Sequence, residues 1–334
     1  TIESSRIGIG VFVGSSDATF SIQNNDFQNF ADDDVFVDDR ADVLTLSDVE
    51  TNNTFDRVVT IEDDAGNITG DSIFSAIQPA INNAEPGQVV EADPGTYDES
   101  VDISTKNVTL LGPNGGTPGD ASRGDEAIIE QGLKINASEV TVDGLQIENN
   151  GTNGVRIGPE IVPDDVIIQH NRITNVEGGS FLRDGADTGA GNGIQIQFGV
   201  PEPNGETAQN IRIVDNEISD ISTRDVGEIE GESGGTLAIG INVLPRGNDI
   251  RGLQIENNTI RSIEPGVPGE GDETETRAIS VDTQLDDPGR DSASLNAAGQ
   301  VSELRVTNNT FTDLTAGDGV AAITLFEDGR VSPR

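Results

Sequence analysis

Few kinds of side chain in this sequence are equipped for covalent or redox chemistry. There is one histidine, His170, one tyrosine, Tyr97, and no cysteine, methionine or tryptophan. Without cysteine there can be no disulfide, no thiolate metal site and no sulfur nucleophile. Carboxylates, by contrast, are abundant: Asp and Glu number 60. The arrangement most like a site is Arg183-Asp184-Gly185-Ala186-Asp187-Thr188-Gly189. Asp184 and Asp187, with backbone oxygens bared by the glycines, have the donor chemistry of a Ca²⁺ site. They are the candidate metal ligands; Ca²⁺ is the ion such a cluster would take, although nothing else in the sequence requires a cofactor. The runs Asp32-Asp33-Asp34 and Asp286-Asp287 read as solvated loops. His170 occupies the slot that Asn24, Asp215, Asn257 and Asn308 fill in sister segments, and so reads as a turn residue rather than a base. Aromatic residues are only 4% of the chain, which argues against the stacking platforms of a sugar-binding cleft. No phosphate loop, dinucleotide fingerprint or nucleophile elbow is present, and no residue is assigned a catalytic role.

The charge balance narrows the partners. Formal charge is −41, and of 19 cationic residues only Lys106 and Lys134 are lysines. Self-repulsion of this size strains a folded chain in dilute buffer. At molar salt the screening length falls to about 3 Å and the strain largely disappears. An acidic, lysine-poor surface resembles that of proteins from extreme halophiles. Phosphate backbones and anionic lipid heads are repelled, so neither nucleic acid nor membrane is an expected partner. No stretch approaches the roughly 20 apolar residues of a membrane span. Since methionine is absent altogether, a processed or truncated start is expected. Seven Asn-x-Ser/Thr triplets, at Asn52, Asn67, Asn107, Asn136, Asn150, Asn257 and Asn308, are possible N-glycan acceptors in a secreted protein.

These residues are held by a repeated unit. An apolar-x-apolar pair, two polar residues, Asn, one residue and a further apolar residue recur as Phe20–Phe27, Val166–Ile173, Ile211–Ile218, Leu253–Ile260 and Leu304–Phe311. Period-two alternation indicates strands. The Asn falls between two of them, where a left-handed backbone suits Asn. Stacking the copies aligns Asn25, Asn171, Asn216, Asn258 and Asn309 as a hydrogen-bonded ladder. A second strand set lies between the copies, at Ile7–Val11, Gly154–Ile157, Gly193–Ile196, Leu237–Ile239, Ala278–Val281 and Ile323–Leu325. Short strands without helical crossovers cannot form an ordinary parallel sheet. Coiled about one axis, each can pair with its equivalent one turn later. The expected class is therefore all-β, a right-handed parallel β-helix (solenoid) with one short capping helix. Copies are 45 residues apart from Asn171 to Asn216 and 51 from Asn258 to Asn309, so long acidic insertions are expected at 179–191, 198–209 and 264–276.

Residues 71–112, from Asp71-Ser-Ile73-Phe74 through Glu85-Pro-Gly-Gln, Asp93-Pro-Gly-Thr-Tyr97 and Val108-Thr-Leu-Leu-Gly112, resemble the opening of parallel β-helix repeat proteins. That is the NosD-like and pectin-lyase-like group, here in a haloarchaeal style. The resemblance implies a capping helix before the first rungs. In the residues themselves, Ile73, Phe74, Ile77 and Ile81 make one apolar stripe at helical spacing, with Asp71 or Ser72 as start and Pro86-Gly87 as stop.

The expected organisation is residues 1–66 as closing β-helix rungs, 67–86 as linker and capping helix, and 87–334 as the main β-helix. Rungs before a cap, and a fresh strand near the C-terminal end, suggest that 1–66 continue a neighbouring unit. A contact of that kind, head to tail and not closing on itself, builds a fibre. The expected function is thus structural: an extracellular, cell-surface or virion component of a halophilic, archaeal system, partnered by copies of itself or adjoining repeats, with glycans as a further partner. The alternative is a Ca²⁺-dependent lyase or epimerase acting on anionic polysaccharide.

Overall fold

The structure, a computed structural model, describes residues 2–3, 7–13, 22–28, 33–39, 49, 53–55, 57–63, 65–69, 72–104, 107–149, 151–178, 180–183, 186–198, 205–223, 236–245, 247–266, 274–283 and 299–326. The period-two segments become three long parallel sheets. Each turn of the main coil contributes one strand to each sheet. Face 1 runs through Val89–Ala92, Thr109–Leu111, Thr141–Asp143, Ile167–Gln169, Arg212–Val214, Gln254–Glu256 and Arg305–Thr307. Face 2 runs from Gly95–Tyr97 to Thr310–Leu314, and face 3 from Val101–Ile103 to Gly319–Phe326. The chain is an all-β parallel solenoid.

Inward residues stack in columns one rung apart. On face 3, Leu133, Val155, Ile194, Ile241 and Ile279 follow one another in register. On face 2, Ile129, Ile147, Ile173, Ile218 and Ile260 do the same. All ten are 0–3% exposed. β-Branched side chains suit this site because stiff χ1 angles let identical shapes nest at the strand spacing of about 4.8 Å.

Several expectations need correcting. The helix begins at Ile77 and ends at Asn83, so Ile73 and Phe74 lie in the strand Ser72–Phe74 instead. The reason is a remote cap: the Glu99 carboxylate accepts the amide N–H groups of Ile77 (2.6 Å) and Gln78 (2.9 Å). Those are orphan donors of the first turn that Asp71 or Ser72 was expected to satisfy locally. All four stripe residues are nonetheless buried.

The expected insertions also contain strands. Ser180–Arg183 and Ala186–Gln197 pair as an antiparallel hairpin, and 189–197 continue along face 3 beside Thr236–Leu244. Thr207–Gln209, Asp249–Arg251 and Val301–Ser302 form a further small parallel sheet. Finally, left-handed backbone falls one residue earlier than expected, at Asn24, His170, Asp215, Asn257 and Asn308. The ladder Asn itself is the residue just before the next strand.

The N-terminal strands repeat the same grammar. Ile7–Val13 pairs parallel with Asp33–Asp39, and Asp26–Gln28 with both Ile2–Glu3 and Thr54–Phe55. This block joins the main coil through antiparallel strands: Asp33–Asp39 pairs with Ser72–Phe74, and Val59–Glu62 with Val89–Ala92.

Candidate functional site

The asparagine ladder is the most regular polar structure in the molecule. The Asn216 Oδ1 accepts both the amide N–H (2.9 Å) and the Nδ2 (3.2 Å) of Asn171. Asn258 Oδ1 does the same for Asn216, at 3.0 Å twice, and Asn309 Oδ1 for Asn258, at 2.9 and 3.0 Å. The remaining Nδ2 hydrogen of Asn216 is shared by the carbonyls of Ile168 and Val214. Asn171, Asn216 and Asn258 are at most 1% exposed, so each amide replaces the water its neighbours have lost. Asn25 belongs to a separate ladder: its N–H and Nδ2 donate to Asn53 Oδ1 at 3.0 and 2.9 Å. It does not join the other four because the antiparallel joint separates the two blocks.

Segment 113–126 straps across this corner, a feature no repeat in the sequence announces. Gly119 N–H donates to the carbonyl of Asp215, and Thr259 Oγ1 donates to Asp120. Arg172 reaches back to the carbonyls of Gly119 (2.8 Å) and Ala121 (2.9 Å). A Cβ on Gly119 would meet the Asn171 carbonyl at 2.3 Å, so glycine is required by this close approach. Under the strap an ion network joins Arg123 and Glu126 (2.8 Å), Arg172 and Glu126 (3.2 Å), and Arg172 and Glu217 (3.0 Å), with Arg261 on the same Glu217. The Arg123 side chain is 0% exposed, and burial holds its pKa below the ordinary value while the Glu126 charge opposes the shift. His170 is part of this clamp. Its Nδ1 lies 2.8 Å from Asp143 Oδ1, and its carbonyl accepts from Arg123 (2.7 Å). The geometry makes it a turn residue and anchor.

Asp184 lies outside the described residues, and Asp187 is described only as backbone in the 180–197 hairpin. Among the described residues, no three His, Cys, Asp or Glu side chains come together as metal ligands. Two open grooves of about 630 and 580 Å³ follow the corner between faces 2 and 3 and share Asn175. Their walls carry Glu177, Asp220, Glu264 and Asp313 in one and Asp98, Glu130 and Glu148 in the other. No helix among the described residues is long and apolar enough to cross a membrane.

The last described rung differs from the earlier rungs of the main coil. Ile323 continues the column of Ile279, and Leu325 that of Val281, yet they are 44% and 58% exposed where the preceding members are 0% and 4%. Val320, in register with the fully buried Thr276, is 52% exposed. The Asn309 Nδ2 donates to the Ile255 carbonyl at 2.8 Å, but no next-rung Oδ1 receives its backbone N–H among the described residues.

Fold and site together define a class, the parallel β-solenoid. Comparison with family models, with curated proteins and with solved structures returns no match.

Proposed function

We propose that this chain is a structural solenoid that grows end to end, its last rung receiving the N-terminal strands of another copy. One observation carries the reading: Ile323 and Leu325 continue core columns, yet no further strand covers them among the described residues. Covering a side chain of that size fully contributes about 1.5–3 kcal/mol, which an added rung would gain in part against the entropy cost of association. The N-terminal block is suited to be that layer. It carries parallel strands of the right kind, its own Asn25–Asn53 ladder step, and an edge strand, Ile7–Val13, paired on one side only among the described residues. The charge of −41 supports a salt-rich extracellular or surface setting, because two such units repel unless screened. A halophilic source, NosD-like kinship and a fibre or surface array belong to the same proposal.

The test is light scattering with electron microscopy of the full chain in dilute buffer and in molar salt. Rods of increasing length in molar salt are expected for the parent, with Ile323→Asp held at one unit and still folded. A parent that stays at a single mass in molar salt at high protein concentration refutes the proposal, as does an Ile323→Asp variant that assembles like the parent.

A further inference from the structure

The acceptor triplets are not equivalent once folded. Asn136 is 3% exposed, and its Oδ1 accepts the Glu160 amide at 2.9 Å. Asn107 Nδ2 donates to Glu139 at 3.2 Å. Asn67 is exposed, but its Nδ2 donates to both oxygens of Asp63 (3.0 and 3.1 Å), and its Thr69 hydroxyl accepts from Gln88 at 2.7 Å. Asn52 and Asn150 lie outside the described residues. Asn257 and Asn308 differ from all of these: both are exposed, both sit in the left-handed slot (φ 57° and 55°), and neither carboxamide has a partner among the described residues.

We propose that the ladder corner is a glycan-acceptor row, with Asn308 its principal site and Asn257 the lesser one. The ladder itself creates these triplets. It needs a left-handed residue, a buried Asn, and then a strand residue. When the first is Asn and the third Thr, the outcome is an acceptor whose middle residue is clamped in the core while its first residue faces water. The two sites differ in the hydroxyl the triplet also requires. Thr259 donates to Asp120 of the strap at 2.7 Å, whereas Thr310 is exposed with no side-chain partner among the described residues. In the transfer, Nδ2 attacks the anomeric carbon of a lipid-phosphate-linked sugar. An N–C bond forms, the C–O bond to phosphate breaks with its electron pair leaving on phosphate, and one Nδ2 proton is released. Successive rungs lie about 4.8 Å apart, so a sugar on Asn308 crowds Asn257 and reinforces the preference.

Glycopeptide mass mapping of the full-length protein from its native host tests this. Saccharide mass on the Asn308 peptide is expected, with less on Asn257 and none on Asn136. In that host, Asn308→Asp, the residue type that fills the equivalent slot at Asp215, should remove the first increment, leave the unfolding midpoint of the sugar-free protein nearly unchanged, and raise occupancy at Asn257. Unmodified Asn308 and Asn257 peptides would overturn the assignment. So would Asn136 occupied as fully as Asn308, since acceptor choice would then ignore the fold.

Discussion

The two ends of the main coil are built from the same repeat and finished in opposite ways. At the N-terminal end every first strand is covered. Val59–Glu62 pairs with the face 1 strand, Arg57 donates to the Thr96 carbonyl on face 2 (3.1 Å), and Gln78 satisfies both the N–H (2.6 Å) and the carbonyl (3.1 Å) of Asp102 on face 3. Helix residues Ile77, Ala80 and Ile81, all at most 2% exposed, close the core from above. At the C-terminal end the last described rung shows Val320, Ile323 and Leu325 to solvent. A parallel solenoid has no intrinsic stop, because each rung templates the next through its unpaired backbone groups. Termination must be added by segments outside the repeat, and among the described residues such segments cover the N-terminal end of the coil.

If the ends differ in this way, equal truncations should have unequal costs. Ile81→Ala in the cap should lose about 3 kcal/mol by the usual cost of emptying a packed core site. Ile323→Ala in dilute, unassembled protein should lose no more than about 0.5 kcal/mol, as for other surface changes. Urea unfolding at fixed salt measures both, and similar losses would erase the distinction.

The ladder offers the same contrast at a second scale. Asn216→Ala orphans the Asn171 N–H and takes a donor from the Ile168 carbonyl in a water-free corner, and should cost about 2–3 kcal/mol, since a buried unsatisfied group costs roughly 1–3 kcal/mol. Asn309→Ala, with a half-finished set of bonds, should cost about 1 kcal/mol. A ladder that tolerated Asn216→Ala as readily as Asn309→Ala would be ornamental to stability.

Smaller effects sharpen the closed end. Glu99→Ala removes the remote cap and should cost about 1 kcal/mol, read as a lower unfolding midpoint. Asp93 lies beside the same end, and burial, then the Glu62 charge, raise its pKa. Its ionised form is thus disfavoured in the fold, a penalty present at neutral pH and lost as pH falls through the raised value. Asp93→Asn should raise the midpoint slightly at neutral pH, with the advantage vanishing in acid. An advantage constant across pH would assign the gain to something other than charge.

Most of the main coil was legible in the residues because its rules are short-range. Alternation at period two and one Asn per turn recur within eight residues, so Ile213, Asn216 and Ile218 name their own places. The helix start was misread for the converse reason. Nothing near Ile77 says that a carboxylate 22 residues downstream will cap it. His170 was legible as a turn residue, since its slot is shared with Asp215 and Asn257, but its bond to Asp143 was not. The strap was invisible because nothing in it repeats along the chain, and the small sheet at 207–209, 249–251 and 301–302 because strands of two or three residues carry no legible alternation.

Residue pattern alone therefore determined the coil, its inward columns and the line of amides, all consequences of strand periodicity and of one residue type suited to a corner. Tertiary structure decided which end is closed, where the strap lies and which triplets remain open to solvent. Those depend on groups brought together from distant rungs, and a hydrogen bond across 22 or 139 residues, such as Ile77 to Glu99 or Thr259 to Asp120, leaves no periodic mark in the sequence.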